Sequence, residues 1–454
     1  MPASASYYHR LSNRHYTIGG GKLRRHQLDP QSQEINVLEK SIDLAIGSGN
    51  HAITYLSRGA GTLLELPLSW YAAEKGYAMS PGYDRPDHLD MRREISDACL
   101  FCHAAYPTPG SFREPKSINC ERCHGSSAQH LSKPQRATIL NPAKLSPQRQ
   151  LEVCLQCHLE TASQGITDSM RQPGRGHFSY RPGEPLSSYK LYFDRSDSSE
   201  TRFEVNHAGY RLLQSACFVK SNGRLTCTTC HDPHTAQARN ACAGCHASKH
   251  AKETTDCAGC HMPKRRTTDA IHVSMTDHAI PRNRSFVEPV RENHTPYDGP
   301  VVSFYTKADP LTLAIVNQRD ATSRTVDLYR QHLRRDPDDV AALAALGNVL
   351  FRLNRRTEAM EVLARALRLD PSHVGALNTL GVAQATQGDY AKAITTLEKA
   401  RAAHPDHALT WLNLGVTYEA FEQPKKARDC YREAIRLQPD FGEARQRLAG
   451  LGQK

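Results

Sequence analysis

Residues 340–371 read VAALAALGNVLFRLNRRTEAMEVLARALRLDP, and their pattern of small and apolar residues returns twice further along the chain. The dipeptide Leu346-Gly347 recurs as Leu380-Gly381 and as Leu414-Gly415, at intervals of 34 residues. The same interval separates two alanine series and one proline series: Ala359, Ala393 and Ala427; Ala366, Ala400 and Ala434; Pro371, Pro405 and Pro439. A fixed period of this length indicates stacked structural repeats.

A 34-residue period with glycine in a first helix, alanine where two helices cross and proline after the second is the signature of the tetratricopeptide repeat (TPR). The small residues let paired helices approach closely, and proline ends the second helix. Three clear repeats, a degenerate one at 306–337 and a capping helix at 440–452 predict an α-solenoid over residues 306–454. We expect its concave surface to dock protein partners; docking back onto the chain and self-association are the alternatives.

The region before the repeats is marked by its cysteines. Of 14 cysteines, 13 lie between positions 99 and 260, and twelve of these form six Cys-x-x-Cys pairs, each followed directly by histidine. The pairs are Cys99 with Cys102, Cys120 with Cys123, Cys154 with Cys157, Cys227 with Cys230, Cys242 with Cys245 and Cys257 with Cys260, and the histidines are His103, His124, His158, His231, His246 and His261. We number these motifs 1 to 6 in chain order. Chance would place histidine after all six pairs with a probability on the order of 10⁻⁸. Cys217 and Cys430 lie outside the motifs and are expected in the core.

Cys-x-x-Cys-His is the attachment sequence of c-type haem. Two thiols three positions apart, on about one helical turn, can reach the two vinyl groups of one porphyrin, and the adjacent histidine then meets the iron. The sequence therefore predicts six covalently bound haem c (heme c) groups. Zinc or iron–sulfur sites and plain disulfides are the alternatives, but none of them explains a histidine after every pair.

The histidine content points to a second imidazole on the iron. Nineteen of 23 histidines lie in residues 1–294, and six belong to motifs, which leaves 13 for at most six distal positions. Only seven methionines are present, so bis-histidine ligation is favoured over His/Met ligation, and with it a comparatively low potential. The distal candidates are His51, His130, His207, His234, His250 and His278, with His177 and His272 in reserve. The alternative for each is a surface or hydrogen-bonded histidine, which we expect for His9, His15, His26, His88 and His294.

Two runs of sequence carry a family resemblance. Cys257-Ala-Gly-Cys-His-Met-Pro-Lys264, with Thr276-Asp-His278 downstream and His250 upstream, is similar to the surroundings of one bis-histidine haem in pentahaem nitrite reductases. Cys230-His-Asp-Pro-His234 is similar to a segment shared by those enzymes, the hydroxylamine oxidoreductases and tetrahaem electron carriers. The resemblance to these multihaem c-type cytochromes implies that His234, His250 and His278 are distal ligands. The catalytic motif of the nitrite reductases ends in lysine, and none of the six motifs here does, which argues against nitrite reduction of that kind.

The resemblance also bears on compartment and charge. Haem is attached to such motifs outside the bacterial cytoplasm, which implies a periplasmic or otherwise extracytoplasmic protein, although Met1–Arg10 contains no apolar leader core. The net charge of +11 is offset by about twelve propionate charges on six haems, so pairing with propionates is favoured over nucleic-acid binding. No apolar run approaches the length of a transmembrane helix.

The sequence thus predicts a mainly α protein in four parts. Residues 1–98 are expected to form irregular loops and short strands that pack on the haem domain; 99–285 form an irregular, haem-packed domain with six haems; 286–305 form a linker; 306–454 form the repeats. The favoured function is electron transfer along the haems, with the repeats docking redox partners, and no catalytic residue is assigned. The alternatives are an oxidoreductase with one open haem acting on a small nitrogen or sulfur compound, and an assembly scaffold.

Overall fold

The structure, a computed structural model, describes residues 4–59, 61–107, 115–161, 169–196, 203–235, 237–239, 241–246, 257–281, 299–319 and 321–451. The chain forms two compact units that divide close to residue 300. Most of the predicted linker, 286–305, lies outside the described residues, which resume at 299. The two units are described in turn.

The first unit begins with two antiparallel sheets. The first sheet has the order β1-β2-β3-β4 and consists of β1 (Ala5–His9), β2 (Arg14–Gly19), β3 (Lys22–Leu28) and β4 (Glu34–Ser41). The second has the order β5-β6-β7-β8, with β9 also paired to β7, and consists of β5 (Leu44–Ile46), β6 (Ala52–Arg58), β7 (Leu63–Tyr71), β8 (Gly76–Met79) and β9 (Arg93–Glu94). Gly20 and Gly21 connect β2 to β3 with φ values of 56° and 75°, as a tight two-residue hairpin turn requires.

These sheets have a hydrophobic core of their own. Tyr16 and Ile18 of β2 and Leu23 of β3 are fully buried and cluster with Leu66 and Met79 of the second sheet. The strands expected in residues 1–98 are present, but they form two regular sheets instead of irregular loops, and the sheet content makes the description of the whole chain as mainly α wrong. In β2, buried Tyr16 and Ile18 flank exposed Thr17, which is the alternation of a half-buried strand.

The rest of the first unit consists of short helices and short antiparallel pairs of strands, of which β10 and β11 belong to a three-stranded sheet. The helices are α1 (Asp97–His103), α2 (Glu121–His124), α3 (Ala128–Ser132), α4 (Pro147–His158), α5 (Ala208–Gln214), α6 (Ala216–Lys220), α7 (Cys227–Cys230), α8 (Ala243–His246) and α9 (Cys257–His261). The antiparallel ribbons are β10 (Ser169–Arg171) with β11 (Lys190–Arg195), β12 (His231–Asp232) with β13 (Gln237–Ala238), and β14 (Lys264–Arg266) with β15 (Ser274–Thr276).

The longest of these helices, α4, lies at the centre of a second core. It begins with Ser146, whose side chain accepts a hydrogen bond from the backbone N–H of Arg149, and with proline at its first position. Its apolar residues Leu151 and Leu155 are buried against Phe101 of α1 and a group of tyrosines that includes Tyr189. Helices α1, α2, α5 and α7 all contact α4, so this helix organises the region that contains the motifs.

The second unit is a stack of antiparallel helix pairs. Its elements are β16 (Val301–Phe304), α10 (Pro310–Val316), α11 (Ser323–Leu333), α12 (Val340–Arg352), α13 (Arg356–Leu369), α14 (Val374–Thr386), α15 (Tyr390–Ala403), α16 (Ala408–Ala420), α17 (Pro424–Leu437) and α18 (Gly442–Leu451). Helices α12, α14 and α16 begin 34 residues apart, and so do α13, α15 and α17. The degenerate repeat forms α10 and α11, and the capping helix forms α18.

Close helix packing explains the small residues in this unit. A Cβ atom added to Gly347 would lie 2.6 Å from the Leu363 side chain, and one added to Gly381 would lie 2.6 Å from Leu397. The alanines of both series are fully buried where the helices cross. Cys430 is buried in α17, as expected, and burial raises the pKa of its thiol to about 12. None of the described helices combines the length and apolar character needed to cross a membrane.

Candidate functional site

The six Cys-x-x-Cys-His motifs adopt one local structure. The two cysteines of a motif lie in one helix in α1, α4, α7 and α9, whereas Cys120 and Cys242 directly precede α2 and α8, which contain Cys123 and Cys245. Residues three apart on a helical turn lie on the same side of the helix. The histidine is the last residue of its helix in five motifs, and His231 directly follows α7. The sequence prediction of paired thiols on one turn with an adjacent imidazole agrees with this geometry.

The first four motifs lie next to one another. The thiols of Cys102 and Cys157 are hydrogen-bonded, as are those of Cys154 and Cys227, and these contacts join motif 3 to motifs 1 and 4. Motif 2 reaches motif 3 through Arg122, whose Nη2 atom lies 3.8 Å from Cys157 Sγ. The hydrogen bond from Cys102, assisted by Arg122, lowers the pKa of Cys157 to about 7.

Motifs 5 and 6 extend this group. The thiols of Cys242 and Cys257 are hydrogen-bonded, which joins motif 5 to motif 6. Burial is the main cause that raises the pKa of Cys230 in motif 4, and the neighbouring thiol of Cys245 in motif 5 raises it further. Cys245 is exposed, whereas Cys260, the second cysteine of motif 6, is half-buried in α9. Contacts between thiols or through Arg122 therefore link motifs 1 to 4, a thiol contact links motifs 5 and 6, and Cys245 of motif 5 lies near Cys230 of motif 4.

Within the described residues, the cysteines form neither a disulfide nor a group of three or more clustered donors. No disulfide joins any of the 14 cysteines, all of which lie in the described part of the chain. Among the described residues, one group of three or more His, Cys, Asp or Glu side chains brings its donor atoms within 4.8 Å of one another, and it contains no motif residue. That group is His332, Asp336 and Asp339 in the second unit, where Asp339 caps α12. A tetrahedral zinc or iron–sulfur site needs four donors around one point.

Two pairs of histidine rings lie close together, at a centroid separation that is compatible with a shared metal ion. The rings of His124 and His234 have centroids 6.0 Å apart and planes inclined by 19°, and those of His231 and His278 are 6.1 Å apart and inclined by 32°. Two bonds of about 2 Å to one metal ion, plus about 1.1 Å from each nitrogen to its ring centre, put such centroids about 6 Å apart. Each pair joins a motif histidine to one of the distal candidates.

Hydrogen bonds fix the orientation of several rings. The Nδ1 atom of His124 lies 2.8 Å from the carbonyl oxygen of Leu140, and that of His278 lies 3.0 Å from the carbonyl oxygen of Thr276. A carbonyl only accepts, so Nδ1 carries the hydrogen and Nε2 keeps its lone pair for a metal. The same arrangement occurs at His261 with Pro281 (2.9 Å), His51 with Ser274 (3.0 Å) and His130 with Gln135 (3.2 Å).

The other motif histidines, His103, His158 and His246, are all exposed. Desolvation by the surrounding protein nevertheless lowers the pKa of His103 and of His158, which favours the neutral form that binds metals. His158 of motif 3 lies close enough to His103, His231 and His278 for their charges to lower its pKa further.

The remaining distal candidates have different surroundings. His207 is fully buried; its Nε2 atom lies 3.1 Å from the carbonyl oxygen of Thr161, and its Nδ1 atom has no hydrogen-bond partner. His250 lies outside the described residues. The reserve candidate His272 is occupied, because its two ring nitrogens lie 3.0 Å from carboxylate oxygens of Glu74 and Asp84.

Two features of the site could not be predicted from the sequence. The first is a clamp on Asp277, the residue before His278. Arg211 of α5 donates two hydrogen bonds of 2.9 Å to the Asp277 carboxylate and Arg265 of β14 donates a third of 2.8 Å. Burial raises the Asp277 pKa, but these arginines and the Ala279 N–H outweigh it and bring the pKa to about 2. The clamp fixes the turn that presents His278 to His231. The second feature, Arg122, occupies a variable position of its motif, which carries no sequence signal.

Comparisons with known proteins concern the second unit. A family model described as the middle TPR-like domain of cilia and flagella-associated protein 70 matches residues 316–438. Together with the regular helix pairs, this match makes the second unit a TPR-like domain, a class of repeat that mediates protein–protein interaction. A search of the curated proteins gives no match.

Several solved structures resemble part of the chain. YrrB, a TPR protein with an unusual peptide-binding site, is 26% identical over 30% of this chain and 71% of its own, with a TM-score of 0.27. MamA from Desulfovibrio magneticus RS-1 is 24% identical over 32% of this chain and 84% of its own, with a TM-score of 0.28. The first TPR of Spaghetti (RPAP3), bound to the HSP90 peptide SRMEEVD, is 20% identical over 25% of this chain and 90% of its own, with a TM-score of 0.25.

Proposed function

We propose that the first unit is a c-type cytochrome domain that holds six haem c groups and carries electrons, and that the TPR-like domain docks its redox partners. The observation that carries this proposal is the pair of histidine partnerships, His124 with His234 and His231 with His278, at centroid distances of 6.0 and 6.1 Å. In each, an imidazole that directly follows a Cys-x-x-Cys pair faces a second imidazole from elsewhere in the chain.

The twelve motif cysteines have the arrangement that thioether attachment requires. The two cysteines of each pair lie three positions apart on about one helical turn, directly before a histidine. Bound haem would supply one-electron chemistry at iron. The surrounding residues bind and orient it: the cysteines fix each porphyrin in place, and the adjacent histidine sets which face of the ring meets the protein.

The axial histidines define how the irons would be held. His124 and His278 each donate Nδ1–H to a backbone carbonyl, which locks the ring and makes Nε2 the ligating atom. His261 has the same anchored Nδ1. Two imidazoles on one iron leave no open position, so these sites favour electron transfer over catalysis. His51, His130, His207 and His250 remain candidates for the irons of the other motifs.

The two units have separate roles in this proposal. The stacked helix pairs supply the docking surface for a donor or acceptor protein. The protein is proposed to work outside the cytoplasm, because the covalent attachment of haem to these motifs takes place there. The net charge of +11 supports the proposal, since it offsets the propionates of bound haems.

Intact mass spectrometry of protein made in a host with cytochrome c maturation tests the proposal. We expect the mass of the polypeptide plus six haems. The double variant with Cys227→Ala and Cys230→Ala should lose one haem, whereas the matched variant Cys217→Ala, outside the motifs, should keep all six. A mass equal to the bare polypeptide would overturn the proposal.

The spin states of the haem irons in the same protein distinguish an electron carrier from an enzyme. EPR and visible spectra of a carrier should show only low-spin, six-coordinate iron. A high-spin signal that shifts when nitrite or hydroxylamine is added would favour the alternative of a multihaem oxidoreductase.

A further inference from the structure

Arg122 is a buried cation that pairs with no carboxylate among the described residues. It lies between the two cysteines of motif 2 in sequence, and the residue is only 3% exposed. The other buried arginine of the described chain, Arg265, is 8% exposed and pairs with Asp277 at 2.8 Å. Among the described residues, no carboxylate forms an ion pair with Arg122. An uncompensated charge is costly to bury, so its retention calls for an explanation.

The surroundings hold this guanidinium in one place. Its carbon lies 4.4 Å from the ring centroid of Phe101, 4.5 Å from that of Tyr106 and 5.8 Å from that of Phe178. Nη2 donates a 2.7 Å hydrogen bond to the carbonyl oxygen of Phe101, whereas Nη1 is buried without a hydrogen-bond partner. Aromatic faces attract a cation without neutralising it. The positive charge therefore remains available to act on its neighbours.

The charge acts on motif 3. Cys120 and Cys123 share one face of their helical turn, and the intervening Arg122 projects to another side. It reaches Cys157, to whose sulfur Nη2 lies at 3.8 Å. Motif 3 also has the most neighbours, since α4 contacts the helices of motifs 1, 2 and 4. The charge of Arg122 thus lies next to motif 3, whose helix α4 also contacts the helices of motifs 1, 2 and 4.

We propose that Arg122 sets the reduction potential of the haem attached at motif 3, holding it above the value it would have without this cation. Reduction adds a negative charge to the haem, and a nearby positive charge in a water-poor interior favours the reduced form. Once Cys157 forms a thioether it is uncharged, so it does not neutralise Arg122. This role rests on the proposed function, because it requires haem at motif 3.

Redox titration of the holoprotein, followed by visible absorption, tests this role. Arg122→Met and Arg122→Gln remove the charge, and Gln keeps a donor for the Phe101 carbonyl. Both should shift the potential of one haem to a more negative value, while Arg122→Lys should keep it near the wild-type value. Arg181→Met is the matched control: Arg181 lies 4.4 Å from the ring centroid of Tyr106 but is exposed, and its loss should leave all potentials unchanged. If Arg122→Met does not fold, Arg122→Gln provides the comparison.

The outcomes separate this role from the proposed function. Six haems by mass with unchanged potentials in Arg122→Gln would overturn the role of Arg122 alone. An equal shift in Arg122→Lys and Arg122→Gln would also overturn it, because packing and not charge would then be responsible. A wild-type mass without haem would overturn the proposed function, and this role with it.

Discussion

Replacing Gly381 of α14 by alanine tests the close helix packing of the TPR-like domain. The added Cβ would lie 2.6 Å from Leu397 Cγ, whereas non-bonded carbon atoms prefer separations of about 3.5–4.0 Å. Leu397 is fully buried, so α14 and α15 must move apart, and such overpacking costs about 1–3 kcal/mol. Alanine regains about 1 kcal/mol in helix propensity over glycine. The expected net loss in the free energy of unfolding is about 0–2 kcal/mol.

A second substitution makes this prediction sharper. Leu397→Ala alone should cost about 2–5 kcal/mol, because it leaves a cavity. In that background Gly381→Ala meets no Leu397 side chain and should stabilise the protein by about 1 kcal/mol through helix propensity. The effect of Gly381→Ala thus changes by about 1–3 kcal/mol between the two backgrounds.

Urea unfolding measures these free energies. Trp70→Phe leaves Trp411 of α16 as the fluorescent reporter of the second unit, since the chain has two tryptophans. Gly375→Ala, also in α14, is the matched control, because its Cβ would approach only the His373 ring, at 3.3 Å. Equal effects of Gly381→Ala in both backgrounds would refute the packing argument.

Two further predictions concern histidines of the first unit. His278→Ala should leave six haems attached by mass and convert one of them to high spin in EPR, whereas His272→Ala should leave every spin state unchanged; an unaltered spectrum of His278→Ala would remove it from the ligands. Burial lowers the pKa of His272, but Asp84 and Glu74 outweigh it, so the folded-state pKa is raised above its ordinary value. Protonated His272 therefore stabilises the fold fully below about pH 6.5, and this contribution is lost as pH rises through the folded-state pKa. The difference in Tm between wild type and His272→Gln should be largest at low pH and vanish at high pH; a gap independent of pH would contradict this assignment.

The repeat region could be predicted almost element by element, whereas the N-terminal region could not. Glycine and alanine at a 34-residue interval fix where helices cross, so the starts of α12, α14 and α16 follow from Leu346, Leu380 and Leu414. In residues 1–98 the strands are held by pairing between distant segments, such as Arg93–Glu94 with β7. Those pairings depend on tertiary structure and leave only a weak alternation in the sequence.

The candidate haem sites likewise combine features that the sequence predicts with features that only the folded chain reveals. The cysteines and the histidine that follows them are set by covalent chemistry at short range, so their spacing is visible in the sequence. The partnerships of His124 with His234 and of His231 with His278 join residues that lie 110 and 47 positions apart. Sequence reasoning selected His234 and His278 as distal candidates but could not assign them to motifs. The role of Arg122 could not be predicted from the sequence, because it depends on contacts with Phe101 and Cys157 that form only in the folded chain.

The equal spacing of the helix pairs also bears on how this chain can change in length. Among the described residues, successive helix pairs pack on one another, and α12, α14 and α16 occupy equivalent positions in the stack. Duplication or deletion of one helix pair, a block of 34 residues, would therefore leave the remaining pairs with complementary surfaces at every interface. The area offered to another protein can therefore grow or shrink in whole steps of one helix pair during evolution.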